Sequence, residues 1–217
     1  MASQADARAR MVERQIAARG VRDARVLDAM RTVPRERFVG EELADAAYRD
    51  SPLPIGEGQT ISQPYIVALM LEAAEIGPGD RVLEVGAGSG YAAAVASRIA
   101  GQVYAIEWHA ALAAEARARL AALGYDNVEL RGGDGSGGWP EHAPFDAIIV
   151  SAGGPDVPDP LKQQLAIGGR LLIPVGPRLN QTLLKLTRRD TDRFEALDLG
   201  AVAFVPLVGE KGWAGSP

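Results

Sequence analysis

The chain has 217 residues, 47% hydrophobic and 24% charged, which is enough for one domain with a substantial core and too apolar for a disordered chain. Its formal net charge of −5 argues against nucleic acid as a partner, and no stretch reaches the roughly 20 apolar residues of a membrane helix. The absence of cysteine excludes disulfides and thiolate chemistry, and two scattered histidines, His109 and His142, leave no metal site to expect.

The first segment mixes Arg8, Arg10 and Arg14 with Asp6 and Glu13 and lacks the apolar core of a signal peptide, so a cytoplasmic protein is expected. Helix is predicted over 4–19, stopped by Gly20, and a second helix from Asp23, its N-cap, through Met30, ended by Pro34. Residues 50–62 are rich in turn formers and predict loop or short extended pieces. A helix over 64–75 follows and closes at Gly77-Pro78-Gly79-Asp80.

From Arg81 strands alternate with helices. Strand 81–85 leads to helix 91–100, strand 103–107 to helix 110–123, and strand 127–131 to strand 145–151; a helix near 160–165 precedes strand 170–175. Segments 182–188 and 196–205 read as an antiparallel pair at one edge, and 211–217 as a loose tail. The expected fold is α/β, a doubly wound and mostly parallel sheet with an N-terminal helical extension and antiparallel C-terminal edge strands. One domain spans 1–217, with 1–80 as the extension, 81–210 as the ligand-binding core and 211–217 as the tail.

The most informative stretch is Val82-Leu83-Glu84-Val85-Gly86-Ala87-Gly88-Ser89-Gly90-Tyr91. Glycines at a strand-to-helix turn allow a tight bend and let a nucleotide-like ligand touch the main chain. A dinucleotide fingerprint wants a glycine at 91, where Tyr91 stands. Glu84, just before the first glycine, suits a cationic or zwitterionic ligand better than a pyrophosphate. Three further elements fall at strand ends. Glu107 is placed to grip ribose hydroxyls, and Asp134, in Gly133-Asp134-Gly135, to accept from an adenine amino group. Ser151-Ala152-Gly153 borders the reacting centre. Each has a plainer reading as a packing turn or a solvated charge. Their common position on one sheet edge, in this order, matches the S-adenosylmethionine-dependent methyltransferase pattern.

Longer runs narrow the match. Val33-Pro34-Arg35-Glu36-Arg37-Phe38-Val39, Leu53 to Tyr65, Gly133-Asp134-Gly135 with Gly138-Trp139, Ala143 to Val150, Arg170 to Gly176 and Phe204-Val205-Pro206-Leu207 resemble protein-L-isoaspartate O-methyltransferases from about residue 10 to 210. The resemblance implies methyl transfer from S-adenosylmethionine to the α-carboxylate of isoaspartyl residues in damaged proteins and peptides. The ester then collapses to a succinimide that can reopen to aspartate. It also implies Ser62 as the active-site serine and a cofactor site of Thr60, Ile61, Ser62, Gly86, Gly88, Gly90, Glu107, Asp134 and Gly135. Gly153-Gly154 departs from the family pattern, where alanines often precede the proline. The expected partners are isoaspartyl-containing proteins, with no nucleic acid or membrane, and the chain is expected to be a monomer.

The chemistry fits these residues. A carboxylate is already ionised at neutral pH and needs no general base, and no cysteine or well-placed histidine supplies one. Ser62, at the start of the predicted 64–75 helix, is suited to steer an anion, although a serine there can also be a simple N-cap. Rival readings are a same-fold methyltransferase acting on another carboxylate, a small molecule or RNA, a nicotinamide oxidoreductase, and a non-catalytic cofactor binder.

Overall fold

The computed structural model describes residues 3–178 and 180–213. Helix α1 (Gln4–Met11) opens with a capping box between Ser3 and Asp6. The single helix expected over 4–19 is broken: a π-helical turn, Val12–Ile16, and a 3-10 turn, Ala17–Arg19, follow α1. The wider π turn gathers Met11, Val12 and Ile16 on a narrower arc, and all three are buried. Helix α2 (Ala24–Thr32) starts as expected, with the Asp23 carboxylate accepting from the Arg25 N–H at 2.8 Å.

The turn-rich segment forms a small antiparallel hairpin of β1 (Leu53–Gly56) and β2 (Gln59–Ile61). Helix α3 (Pro64–Ala73) follows, with proline at its first position and Gln63 as the N-cap residue. Glu72 on α3 accepts from the backbone N–H groups of Arg22 and Asp23, which ties the start of α2 to α3.

The main sheet is built from β3 (Arg81–Val85), β4 (Gln102–Glu107), β5 (Val128–Gly132), β6 (Phe145–Val150), β7 (Leu165–Val175), β8 (Gln181–Arg188) and β9 (Phe194–Val202). Helices α4 (Tyr91–Ser97), α5 (Ala110–Ala122) and α6 (Asp159–Gln163) alternate with the strands. The strand order is β5-β4-β3-β6-β7-β8-β9, parallel through β7 and antiparallel beyond it. Strand β7 begins earlier than the sequence suggests, because Leu165 already pairs with Phe145 before a register shift. The order reverses at β3, with β4 on one side and β6 on the other, so the crevice beyond the carboxyl ends of β3 and β4 is the binding position of this architecture.

The N-terminal segment packs on one sheet face: Met11, Ile16, Met30 and Phe38 share a hydrophobic cluster with Val82, Val103 and Ala105. A second cluster, around Leu83, Ile106, Ile148 and Leu171, fills the other face. Among the described residues no helix is long and apolar enough to cross a membrane. The tail expected at 211–217 is anchored at its start. The Lys211 N–H donates to Ser136 Oγ at 3.0 Å, and Trp213 donates through its backbone to Leu207 and through its indole to the Gly153 carbonyl. These long-range partners leave no local signature in the sequence. Residues 214–217 lie outside the described part.

Candidate active site

The turn between β3 and α4 is fixed by backbone bonds: the N–H groups of Gly86 and Ala87 both donate to the Ile106 carbonyl, at 2.8 and 3.1 Å. Gly86 and Gly88 take φ of 86° and 54°, the left-handed region that a Cβ disfavours. Glu107, at the end of β4, is 4% exposed; its Oε2 accepts from the Gly88 N–H at 2.8 Å and its Oε1 from the His109 N–H at 2.9 Å. A single carboxylate therefore locks two turns together at the mouth of the crevice. Each of its oxygens keeps lone-pair capacity for a ligand hydroxyl.

Three adjoining hollows follow this edge. The first lies between Gly86, Gly88, Glu107, Trp108 and Gly135 on one side and Val205–Val208 on the other. The second is lined by Thr60, Ile61, Ser62, Glu84, Gly86, Gly88, Ser89 and Tyr91. The third, about 500 Å³, is bounded by Pro52, Ser62, Gln63, Ile66, Asn180 and residues 201–205. Thr60 and Ser151 border all three, and Ser62 borders the second and third. The two hydroxyls thus stand where the hollows meet.

Glu84 has an electrostatic setting unlike any other carboxylate among the described residues. It is 3% exposed, and burial pushes its carboxyl up to about 8, against the Ser151 hydroxyl bond that lowers it and with the nearby Glu107 charge adding to the rise. Its Oε1 accepts from Ser151 Oγ at 3.2 Å, while Oε2 is buried with no hydrogen-bond partner among the described residues. Ser89 Oγ, on the same hollow, is also buried and unpaired. A buried acceptor and a buried hydroxyl left without partners are the complement of a zwitterion, an ammonium and a carboxylate carried on one carbon.

Most of the site residues expected from sequence come together here: Thr60, Ile61, Ser62, Gly86, Gly88, Glu107 and Gly135 all line the first or second hollow. Gly135 needs to be glycine, since a Cβ there would lie 2.6 Å from Val85 Cγ1. Gly90 and Asp134 lie elsewhere. Gly90 is the N-cap of α4, and a Cβ on it would meet Leu120 Cδ1 at 3.2 Å, so it serves helix packing. Asp134 turns its carboxylate to the C-terminal segment: Oδ1 accepts from the Ser136 N–H and hydroxyl, and Oδ2 from the Glu210 N–H, at 2.7–2.8 Å. Partial burial raises its pKa, but these three donors outweigh that and hold the carboxyl below its ordinary value.

Ser62 is not an N-cap, because Gln63 takes that position and Ser62 Oγ has no hydrogen-bond partner among the described residues. Sequence reasoning missed Ser89, whose serine between two glycines looks like turn filler, and the part of the third hollow's wall formed by Ala201–Ala203, which reads locally as an ordinary strand end.

Comparison with known proteins agrees with this geometry. The protein-L-isoaspartate(D-aspartate) O-methyltransferase family matches residues 6–212. A protein-L-isoaspartate O-methyltransferase of Methylorubrum extorquens is 67% identical over 210 residues, covering 97% of this chain and 92% of that one. One from Methylorubrum populi is 66% identical, covering 96% and 98%. A solved protein-L-isoaspartate O-methyltransferase superposes with a TM-score of 0.86 at 31% identity, over 94% of this chain and 67% of the other. A Plasmodium falciparum structure described as such an enzyme, in complex with S-adenosyl-L-homocysteine, gives 0.80 at 27% identity, over 93% and 98%. The chain belongs to the protein-L-isoaspartate(D-aspartate) O-methyltransferase family.

Proposed function

We propose that the chain transfers a methyl group from S-adenosylmethionine to the α-carboxylate of L-isoaspartyl residues in damaged proteins and peptides. The ester is then left to collapse to a succinimide and reopen in part to aspartate. The observation that carries the reading is the chain of three hollows along one sheet edge. A ligand-complementary pocket at Glu84 and Ser89 opens, past Thr60, Ser62 and Ser151, into a separate acceptor cavity. We further take 1–217 to be one domain whose first 80 residues form part of the site, acting as a monomer in the cytoplasm without nucleic acid or membrane.

In this reading Glu107 receives the ribose hydroxyls, and Trp108, Gly135 and Val205–Val208 enclose the adenine. Glu84 and Ser89 receive the ammonium and carboxylate of the methionine end. When bound, S-adenosylmethionine supplies an electrophilic methyl group on a sulfonium.

The acceptor is already an anion, so the chain needs to orient it rather than deprotonate it. The polar groups around the acceptor cavity, Thr60, Ser62, Gln63, Ser151 and Asn180, are all neutral. That choice has a chemical reason. A lysine or arginine there would hold the carboxylate most tightly in the ground state and blunt its nucleophilicity, whereas a hydroxyl orients one oxygen and leaves the other reactive. Orientation of this kind supplies roughly 7–11 kcal/mol. Apolar groups, Pro52, Ile66, Val202 and Phe204, keep water from the reacting oxygen.

The test is methyl transfer from labelled S-adenosylmethionine to a matched pair of peptides that differ only in an isoaspartyl or aspartyl linkage. Transfer to the isoaspartyl peptide alone is expected. Equal transfer to both, or to neither, sinks the assignment.

A further inference from the structure

We propose that Gln181 is a positioning residue for the acceptor: its buried amide serves Phe204 as a surrogate strand and so sets the acceptor wall. The proposal rests on the reading of the adjoining cavity as the acceptor site.

Gln181 opens β8, and its backbone pairs with Val202, the last residue of β9. Past Val202 the chain leaves the sheet, yet residues 203–205 still line the cavity. The side chain of Gln181 continues the pairing that the backbone has given up. It is 2% exposed; its Oε1 accepts from the Phe204 N–H at 2.8 Å and its Nε2 donates to the Phe204 carbonyl at 3.4 Å. Both main-chain groups of one wall residue are thus satisfied by one side chain, as a neighbouring strand would satisfy them.

Gly153 makes room for that amide. A Cβ at 153 would stand 2.7 Å from Gln181 Nε2 and 2.9 Å from its Cδ. The Gly153 N–H also donates to the Val205 carbonyl at 2.8 Å, so the wall is held at two successive residues by two residues that touch each other. The far end of the same segment is fastened through Asp134 and Ser136, while the Gly153 carbonyl accepts from the Leu207 N–H at 2.8 Å and from the Trp213 indole at 2.9 Å. Loss of the Gln181 amide therefore loosens the wall on the acceptor side and leaves the wall at Val205–Val208 anchored.

Two variants test this, each with KM for an isoaspartyl peptide measured beside the affinity for S-adenosylmethionine. Gln181→Met keeps size and burial while removing both hydrogen bonds. We expect its peptide KM to rise about fivefold or more, with cofactor affinity within about twofold of the parent. Gly153→Ala keeps the amide but crowds it, and we expect peptide KM to rise there too, with some loss of cofactor affinity because Gly153 also pairs with Val205 and Leu207. A folded methionine variant with unchanged peptide KM overturns the proposal. An equal weakening of peptide and cofactor in the methionine variant also overturns it, since that is what general loosening of the fold produces. Should the methionine variant fail to fold, the alanine variant decides: peptide KM unchanged there defeats the idea. Parent protein inactive on the peptide instead defeats the reading of the cavity, and the proposal with it.

Discussion

The Ser151 hydroxyl donates to Glu84 Oε1 across 3.2 Å, joining the strand before the glycine turn to the residue just past the end of β6, which borders the third hollow. The bond satisfies only half of the Glu84 carboxyl, and the other oxygen is buried without a partner. Such an arrangement costs stability in the free protein and is tolerated where a ligand completes it.

Glu84→Gln should therefore stabilise the ligand-free protein, and by an amount that depends on pH. The folded-state pKa of Glu84 is raised from 4.5 to about 8. A raised carboxyl favours the fold below the unfolded value and loses that advantage as pH climbs through the folded value. By linkage the full window corresponds to roughly 5 kcal/mol. Thermal denaturation of parent and variant at pH 4.5 and pH 8 should give similar Tm at the lower pH and a variant higher by about 5 °C or more at the upper. The same variant should bind S-adenosylmethionine about tenfold or more weakly, since an amide cannot neutralise an ammonium. A variant Tm advantage that does not grow with pH would show that Glu84 is ionised in the free protein.

Cofactor binding should also expel a proton. At pH 7 the Glu84 carboxyl, pushed up to about 8, is mainly protonated in the free protein and, in the proposed binding mode, must ionise to face an ammonium group. Calorimetric titration in buffers of different ionisation enthalpy should report close to one proton released near pH 7 and less above pH 8. Glu84→Gln should abolish the release. Binding heats independent of buffer in the parent protein would count against an ionic contact at Glu84.

Much of this was legible in the sequence, for reasons that are local. The run from Val82 to Tyr91 carries its own strand, turn and helix start, and β3 spans the predicted residues. Glu107 could be placed because it ends a strand whose apolar residues are consecutive. What escaped is non-local. The Asp134 carboxylate finds the Glu210 N–H across 76 positions, and no spacing rule connects the two. Gln181 looks like any polar residue opening a strand until Val202 turns away from the sheet beside it. Ser62 reads as a cap because a proline helix start follows, and only the fold shows Gln63 in that place, with the Ser62 hydroxyl left for the cavities.

Ser62→Ala should separate turnover from cofactor binding. The side chain borders both the second and the third hollow and makes no hydrogen bond among the described residues, so its removal should leave stability nearly unchanged. Loss of one donor to the reacting anion should reduce kcat on an isoaspartyl peptide by about tenfold to a hundredfold. Equilibrium binding of S-adenosyl-L-homocysteine should stay within about twofold. Parental kcat in this variant would remove Ser62 from the mechanism.

Asp134 offers the sharpest contrast between the residue as read from sequence and as placed by the fold. As a direct ligand it would accept from the adenine amino group; in the structure its oxygens accept from Ser136 and Glu210, and Ser136 Oγ accepts from Lys211. These bonds fasten the segment whose Val205–Val208 encloses the first hollow. Asp134→Ala should therefore weaken binding of S-adenosyl-L-homocysteine by about tenfold through a displaced wall, the size expected for losing hydrogen bonds to a charged group. An analogue with oxygen in place of the adenine amino group separates the two roles. If Asp134 works through the wall, the variant loses the same factor for both ligands. If it grips the amino group, the variant's loss is confined to the amino-bearing ligand. The pH response carries the same sign in either case. A carboxyl held below its ordinary 3.8 supports the fold above that value and releases its support as pH falls through the lowered one. The wall should thus stay closed throughout the neutral range, and the analogue comparison is best made near pH 7, where protonation of Asp134 plays no part.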